Sequence, residues 1–108
     1  MEASEYCIIT TTTDSKENAD AITQSLLEKK LVACVQSSFV HSAYRWEGSI
    51  TESEEILLEI KTKRALFGKI QAEIERLHAY EVPEIIMVPL AGGNRRYLQW
   101  IEEVTVKR

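Results

Sequence analysis

The chain has 108 residues, 44% of them hydrophobic and 28% charged, with a formal net charge of -4, a mean hydropathy of -0.20 and an isoelectric point near 5.2. That balance describes one globular, soluble domain rather than a disordered chain, and with no apolar run approaching about 18 residues it excludes a helical membrane span. An acidic chain with scattered basic residues offers no broad face to a phosphate backbone, which argues against nucleic acid as a partner.

The opening Met1-Glu2-Ala3-Ser4-Glu5 is acidic and leads straight into an extended run. It lacks the basic segment, apolar stretch and cleavage site of a secretion signal, so the expected location is the cytoplasm. The two cysteines, Cys7 and Cys34, are not spaced as Cys-x-x-Cys and are expected to be free thiols. Tyr6 to Thr13 is β-branched and predicts the first strand. Asp14 with Glu17 three residues later predicts a capping pair for a helix running to about residue 30. Ala19, Ile22, Leu26 and Leu27 form its apolar side, and Asp20, Glu28, Lys29 and Lys30 its wet side.

Two long extended runs follow. Residues 31–46 are rich in Val, Cys, Phe and Ser, and in residues 50–62 Ile56, Leu58 and Ile60 alternate with Leu57, Glu59 and Lys61. The turn between them carries Tyr44, Arg45, Trp46, Glu47 and Gly48. An arm of about 12 residues reaches roughly 40 Å, whereas a compact domain of this length has a radius of gyration of about 13 Å. The hairpin must therefore bend, bulge or project. A projecting ribbon with aromatic residues near its tip leaves open strand edges, which a second copy of the chain would cover.

Leu66, Phe67, Ile70, Ile74 and Leu77 predict a second amphipathic helix, ending near His78-Ala79-Tyr80 because Pro83 holds its predecessor extended. Residues 84–89 then read as a short apolar strand, of the kind expected at the centre of a sheet, with Pro89 at its end. Gly92-Gly93 breaks the chain, and Asn94 is placed to cap a final helix bearing Tyr97, Leu98, Trp100 and Ile101. The order β-α-β-β-α-β plus a tail helix predicts a single α+β domain over 1–108 with the ferredoxin-like split arrangement: an antiparallel sheet of four strands with two helices on one face. The opposite face needs a cover from the last helix or another subunit, which favours a homo-oligomer, most simply a closed ring.

The chemistry-bearing residues are ambiguous by themselves. Sulfur and imidazole donors suited to copper are Cys7, Cys34, His41, His78, Met1 and Met87, with no helical or tight-loop pair among them. Cys34 reads equally as a small core residue, and His78 as a donor to the last carbonyls of its helix. Glu54 and Glu55 point to opposite faces of a strand and cannot form a close acid-base pair. Glu52, Glu54, Glu55 and Glu59 could hold a hard cation or simply lie on solvated faces. Glu81 and Glu84 flank Pro83 close to His78 and Tyr80, the densest polar-aromatic cluster. An inter-subunit cleft is accordingly assigned to Trp46, Lys61, Tyr80, Glu81, Glu84, Tyr97 and Trp100. Gly92-Gly93-Asn94-Arg95-Arg96 lacks the spacing of a phosphate loop, and no nucleophile-base arrangement predicts an enzyme.

Five segments together carry a resemblance: Leu31-Val32-Ala33-Cys34-Val35, Tyr44-Arg45-Trp46-Glu47-Gly48, Lys61-Thr62, His78-Ala79-Tyr80-Glu81-Val82-Pro83-Glu84-Ile85, and Gly93-Asn94-Arg95-Arg96-Tyr97-Leu98-Gln99-Trp100-Ile101. In this order the chain resembles the CutA family of divalent-cation tolerance proteins. The resemblance implies a tight trimer of ferredoxin-like protomers, architecturally similar to the PII signalling proteins, linked to tolerance of copper and other divalent ions. It implies no reaction. On it rests the expectation that Cys34 and His78, with inter-subunit carboxylates, contact copper or another divalent cation. The alternative is a PII-like scaffold whose clefts bind a metabolite or a partner protein. The family's usual His-Pro-Tyr is His78-Ala79-Tyr80 here, a Pro-Gly common after the Ala-Cys motif gives way to a shorter Ser38-Phe39-Val40, and the Cys and second His of some members are replaced by Thr11 and Leu77.

Overall fold

The computed structural model describes residues 1–107. A 3-10 turn, Ala3–Glu5, leads into strand β1 (Tyr6–Thr13), helix α1 (Lys16–Glu28), strands β2 (Cys34–Trp46) and β3 (Ser49–Lys63), a second 3-10 turn (Arg64–Leu66), helix α2 (Phe67–Leu77), strand β4 (Ile86–Pro89) and helix α3 (Arg95–Val104). The four strands form one antiparallel sheet in the order β2-β3-β1-β4. No described helix is long and apolar enough to cross a membrane.

Alternation along the strands decides the layers. Cys7 and Ile9 of β1 and Ile56, Leu58 and Ile60 of β3 turn to one side, where Ala19, Ile22 and Leu26 of α1 and Leu66, Ile70 and Ile74 cover them in one buried cluster. Leu27, expected on the apolar side of α1, is exposed instead, one position off the stripe defined by residues 19, 22 and 26. The helices are latched to each other at Glu73, a buried carboxylate that accepts from Ser25 Oγ, from Lys29 Nζ at 2.9 Å and from Arg76 at 3.0 and 2.6 Å. Arg76, then Ser25 and Lys29, hold this carboxyl far below the usual carboxylate range.

Several local expectations change. The N-cap of α1 is Ser15 rather than Asp14: its hydroxyl accepts from Asn18 N–H at 3.1 Å, shifting the cap one residue towards the helix. At the other end Leu31 N–H reaches Leu26 O and Lys30 N–H reaches Leu27 O, with Lys30 left-handed at φ 56°, so the chain turns through a Schellman motif. Leu31 completes that turn, Ala33 N–H already reaches Lys61 O at 2.9 Å, and β2 starts only at Cys34. Strand β4 lies at the edge of the sheet, not its centre: its apolar run is four residues long and leaves Ile86 and Val88 about half exposed. Asn94 is the N-cap of α3 through its backbone carbonyl, which accepts from Tyr97 and Leu98 N–H, while its side chain makes no cap bond.

The long hairpin projects. Its 13 residue pairs run in one register from Cys34 opposite Lys61 to Trp46 opposite Ser49, with no bulge, whereas β1 ends at Thr13 opposite Ile56. Residues 49–55 thus run beyond β1, giving the protomer extents of 45 × 27 × 21 Å. Glu47 (φ 49°) and Gly48 (φ 80°) close the loop with positive φ at both central positions, a type I′ turn matched to the strand twist. On the far face α3 covers only one end. Tyr6, Leu98 and Ile101 make a second small core there, and Glu102 accepts from Tyr6 Oη at 2.9 Å and pairs with Lys63 at 3.2 Å. Burial, then Glu102, push the Tyr6 phenol up to about 12.

Two substitutions test this account by urea denaturation. Gly48→Ala meets nothing within 4 Å, so any loss is backbone strain, expected at about 1–2 kcal/mol; an unchanged midpoint would contradict the turn. Thr11 Oγ1 is buried without a partner among the described residues, so Thr11→Val, which keeps the shape, should stabilise by about 1 kcal/mol.

Candidate functional site

The far face carries two clusters at its opposite ends. The first is a cleft of about 860 Å³ between the outer hairpin and the loop after α2, lined by Thr12, Ser42, Tyr44, Trp46, Glu55, Tyr80, Glu81 and Glu84 among others. The loop is fixed from both sides. Asn18 donates from Nδ2 to Leu77 O at 2.9 Å and accepts at Oδ1 from Thr13 Oγ1 at 2.6 Å and Ala79 N–H at 3.2 Å. His78 donates from Nε2 to Thr12 O at 2.9 Å and accepts at Nδ1 from Tyr80 N–H at 3.0 Å. These partners define the neutral Nε2–H tautomer. Burial lowers the His78 pKa, against smaller opposing effects of Thr12, Asp14 and Glu55.

So placed, Tyr80 lies 5.0 Å from the His78 ring, centroid to centroid, and donates its hydroxyl to Glu55 Oε2 at 2.6 Å. Burial first, then Glu55, raises the Tyr80 phenol well above its ordinary value. Glu84 accepts from Thr10 Oγ1 at 3.0 Å, and the Tyr44 hydroxyl meets Ser53 Oγ at 3.3 Å.

The second cluster surrounds Cys34, opposite Lys61 in the ladder. Lys61 Nζ contacts Gln36 Oε1 at 2.6 Å and stands 6.0 Å from the centre of the Tyr97 ring, which lies 5.4 Å from the Trp100 ring system. Burial, and secondarily Cys34, raises the Tyr97 phenol. Of the sequence-assigned residues, the protomer therefore gathers Trp46, Tyr80, Glu81 and Glu84 at one end and Lys61, Tyr97 and Trp100 at the other. Cys34 and His78 are likewise apart: Cys34 is level with Ile8, and His78 binds the carbonyl of Thr12. Four strand residues separate those rows, roughly 13 Å. Among the described residues no three His, Cys, Asp or Glu side chains converge on a metal position.

His41 is a third, isolated group on the hairpin's other face. Its Nδ1 lies 2.7 Å from Glu54 and its Nε2 2.8 Å from Glu52, a geometry that calls for the imidazolium, and these carboxylates raise its pKa. Sequence reasoning did not single out Asn18; its place three residues after Ser15 was the available signal. It left Glu55 open as a solvated strand residue, although it is 7% exposed.

The two histidines should titrate on opposite sides of the ordinary value of 6.5. His78 disfavours its proton in the fold, so its contribution to stability is complete at high pH and fades as pH falls below about 6.5 towards the folded value. His41 has the opposite sign: its contribution is present at low pH and is lost as pH rises through its raised folded value. NMR titration of the ring carbons should give the lower midpoint to His78, and the reverse order would refute both assignments.

The sequence pattern of the family described as CutA1 divalent ion tolerance protein matches residues 7–104. The divalent-cation tolerance protein CutA of Thermus thermophilus is 41% identical over 99 residues, 91% of this chain and 96% of that protein. Human protein CutA is 38% identical over 95 residues, 87% of this chain but 53% of that protein. The chain thus spans nearly the whole bacterial relative and about half the length of the human one. The solved Thermus thermophilus structure superposes with a TM-score of 0.89 at 40% identity, covering 94% of this chain and 99% of that one. The periplasmic divalent cation tolerance protein CutA from Archaeoglobus fulgidus gives 0.90 at 35%, covering 92% and 97%. With its pattern matched over residues 7–104 and these identities over most of its length, the chain belongs to the CutA1 divalent ion tolerance protein family.

Proposed function

We propose that this chain is the protomer of a homotrimeric, ferredoxin-like divalent-cation tolerance protein that binds copper or a related divalent ion and performs no catalysis. Membership of the family supports the tolerance role. One observation carries the assembly: Ile86 and Val88 stand 52% and 55% exposed on the far face, on the side shared with Ile8 and Thr10, and β2 leaves its outer edge open along 13 residues. Alone in water, such a face and edge template aggregation; copies in a closed ring bury both.

Cys34 supplies the soft donor for copper in this proposal, and the other ligands come from more than one subunit, since the described residues of one protomer do not complete a site. His78 joins only by giving up one of its two backbone bonds. A cytoplasmic location is proposed because Cys7 and Cys34 are both unpaired thiols. The separation of Cys34 from His78 favours a second reading of the same molecule, a PII-like scaffold or signalling module whose cleft at Trp46, Tyr80, Glu81 and Glu84 takes a small ligand or partner protein.

Native mass spectrometry of the apo protein, then with one equivalent of Cu(I), Cu(II) or Zn(II) per chain, separates the two. The expected spectrum is a trimer with integral metal uptake that Cys34→Ala abolishes at unchanged trimer mass. A trimer that stays empty would leave the scaffold role, and a monomer would overturn the assembly. Val88→Glu, which places a charge on the exposed face that the proposed ring would bury, should convert trimer to monomer.

A further inference from the structure

The sheet separates two apolar clusters, and the C-terminal tail joins them. Tyr6, Leu98 and Ile101 form the small core under α3 on the far face. Directly after α3 the chain leaves that face. Thr105 is extended at φ -108° and ψ 155° and is buried, and its hydroxyl donates to Ile101 O at 2.8 Å, which satisfies one of the last carbonyls of the helix. Val106 N–H then donates to Lys30 O at 2.9 Å, and the Val106 side chain packs against the other cluster, the one between the sheet and α1 and α2. The acceptor is itself held in place: Lys30 is the left-handed residue that ends α1, Leu31 N–H bonds back to Leu26 O, and Leu31 O accepts from Thr62 Oγ1 at 2.6 Å. All of these contacts lie within one chain, so they do not depend on which face another copy covers.

Helix α3 needs such a tie. Its 10 residues fall below the length of about 12–15 residues under which an isolated helix is marginal in water, so it persists through tertiary contacts. Along its length these are the buried Leu98 and Ile101 and the bonds of Glu102 to Tyr6 and Lys63. At its C-terminal end there is the tail. Elements held by few buried apolar contacts open at lower free energy than core strands. One residue, Thr105, separates the end of the helix from the anchored Val106, so the last turn of α3 cannot lift from the far face while the anchor holds. We infer that residues 105–106 are a strap that locks α3 to the end of α1, and that α3 and the strap open together as a unit separate from the four strands and the other two helices. Release carries Tyr97 and Trp100 away from Lys61, whose Nζ stands 6.0 Å from the centre of the Tyr97 ring. Because Lys61 lies opposite Cys34 in the ladder, the strap also governs the surroundings of that thiol.

Native-state hydrogen exchange of the full chain, followed by NMR and corrected for intrinsic rates, tests this, with native mass recorded on the same samples. In the unchanged chain the amides of Gln99 to Val104 should exchange faster than those of Leu58 and Ile60 in β3. Equal rates would show that α3 opens with the core and would overturn the separate unit. Val106→Pro removes the donor to Lys30 O at a place where Thr105 already has the extended backbone that a following proline requires. It should speed exchange in α3 about fivefold, the equivalent of one hydrogen bond, and leave Leu58, Ile60 and the native mass unchanged. Val106→Ala keeps the donor and loses apolar contact with the core cluster, and it should act in the same direction. Acceleration confined to α3 at unchanged mass, in either variant, supports the strap; its absence from both overturns it.

Discussion

The ladder between β2 and β3 sets the proportions of the whole molecule. It runs 13 pairs, whereas β1 has eight residues and β4 four, so the sheet narrows strand by strand away from the hairpin. Two helices of 13 and 11 residues can cover only the part where the strands overlap, and the core is confined there. Outside it, Phe39 is 85% and Ile50 74% exposed. The register is pinned at both ends, by the type I′ turn at Glu47-Gly48 and by Leu58 and Ile60 in the core. A slip of one residue would turn those core side chains onto the far face.

The same ladder builds the candidate site. Because β3 continues past the end of β1, Glu55 emerges beyond the last core pair and faces the loop after α2 rather than a neighbouring strand. Tyr44 and Trp46 lie further out on the same side, by the alternation of β2. A shorter hairpin would keep the core and lose the cleft, since one wall is hairpin and the other is loop. This division explains why the cleft carries the exposed aromatics while the helix-covered side of the sheet is closed.

Sequence periodicity was enough for the parts governed by burial on one face. The alternation of Ile56, Leu58 and Ile60 and the helical spacing of Ile70 and Ile74 reflect direct packing, and both are present as read. Single-residue choices were less legible: Asp14 and Ser15 both suit an N-cap, and the hydrogen bond from Asn18 decides for Ser15. The edge position of β4 was hidden because an apolar strand can be covered by helices or left for another chain, and composition does not distinguish the two. In the site, the cluster around Pro83 was visible as dense polar and aromatic sequence. The burial of Glu55 was not, because it arises from Tyr80 folding back across 25 residues of chain. Cys34 and His78 could be paired by residue type alone, but their rows on the sheet were not available without the strand register.

His78 illustrates how residue type and role part company. Imidazole suggests a ligand or a general base, yet both ring nitrogens are engaged with backbone, one to β1 and one to its own loop. Its neutral form is what the loop requires: a proton on Nδ1 would set one donor against another at Tyr80 N–H. Tyr80 in turn holds Glu55, so the position of the buried carboxylate depends on an uncharged histidine two bonds away in the network. Acidification therefore acts on the cleft through His78: a proton on Nδ1 opposes the bond from Tyr80 N–H and loosens the loop that carries the Tyr80 hydroxyl to Glu55. The change starts at a residue that does not itself bond Glu55 and is passed on through Tyr80.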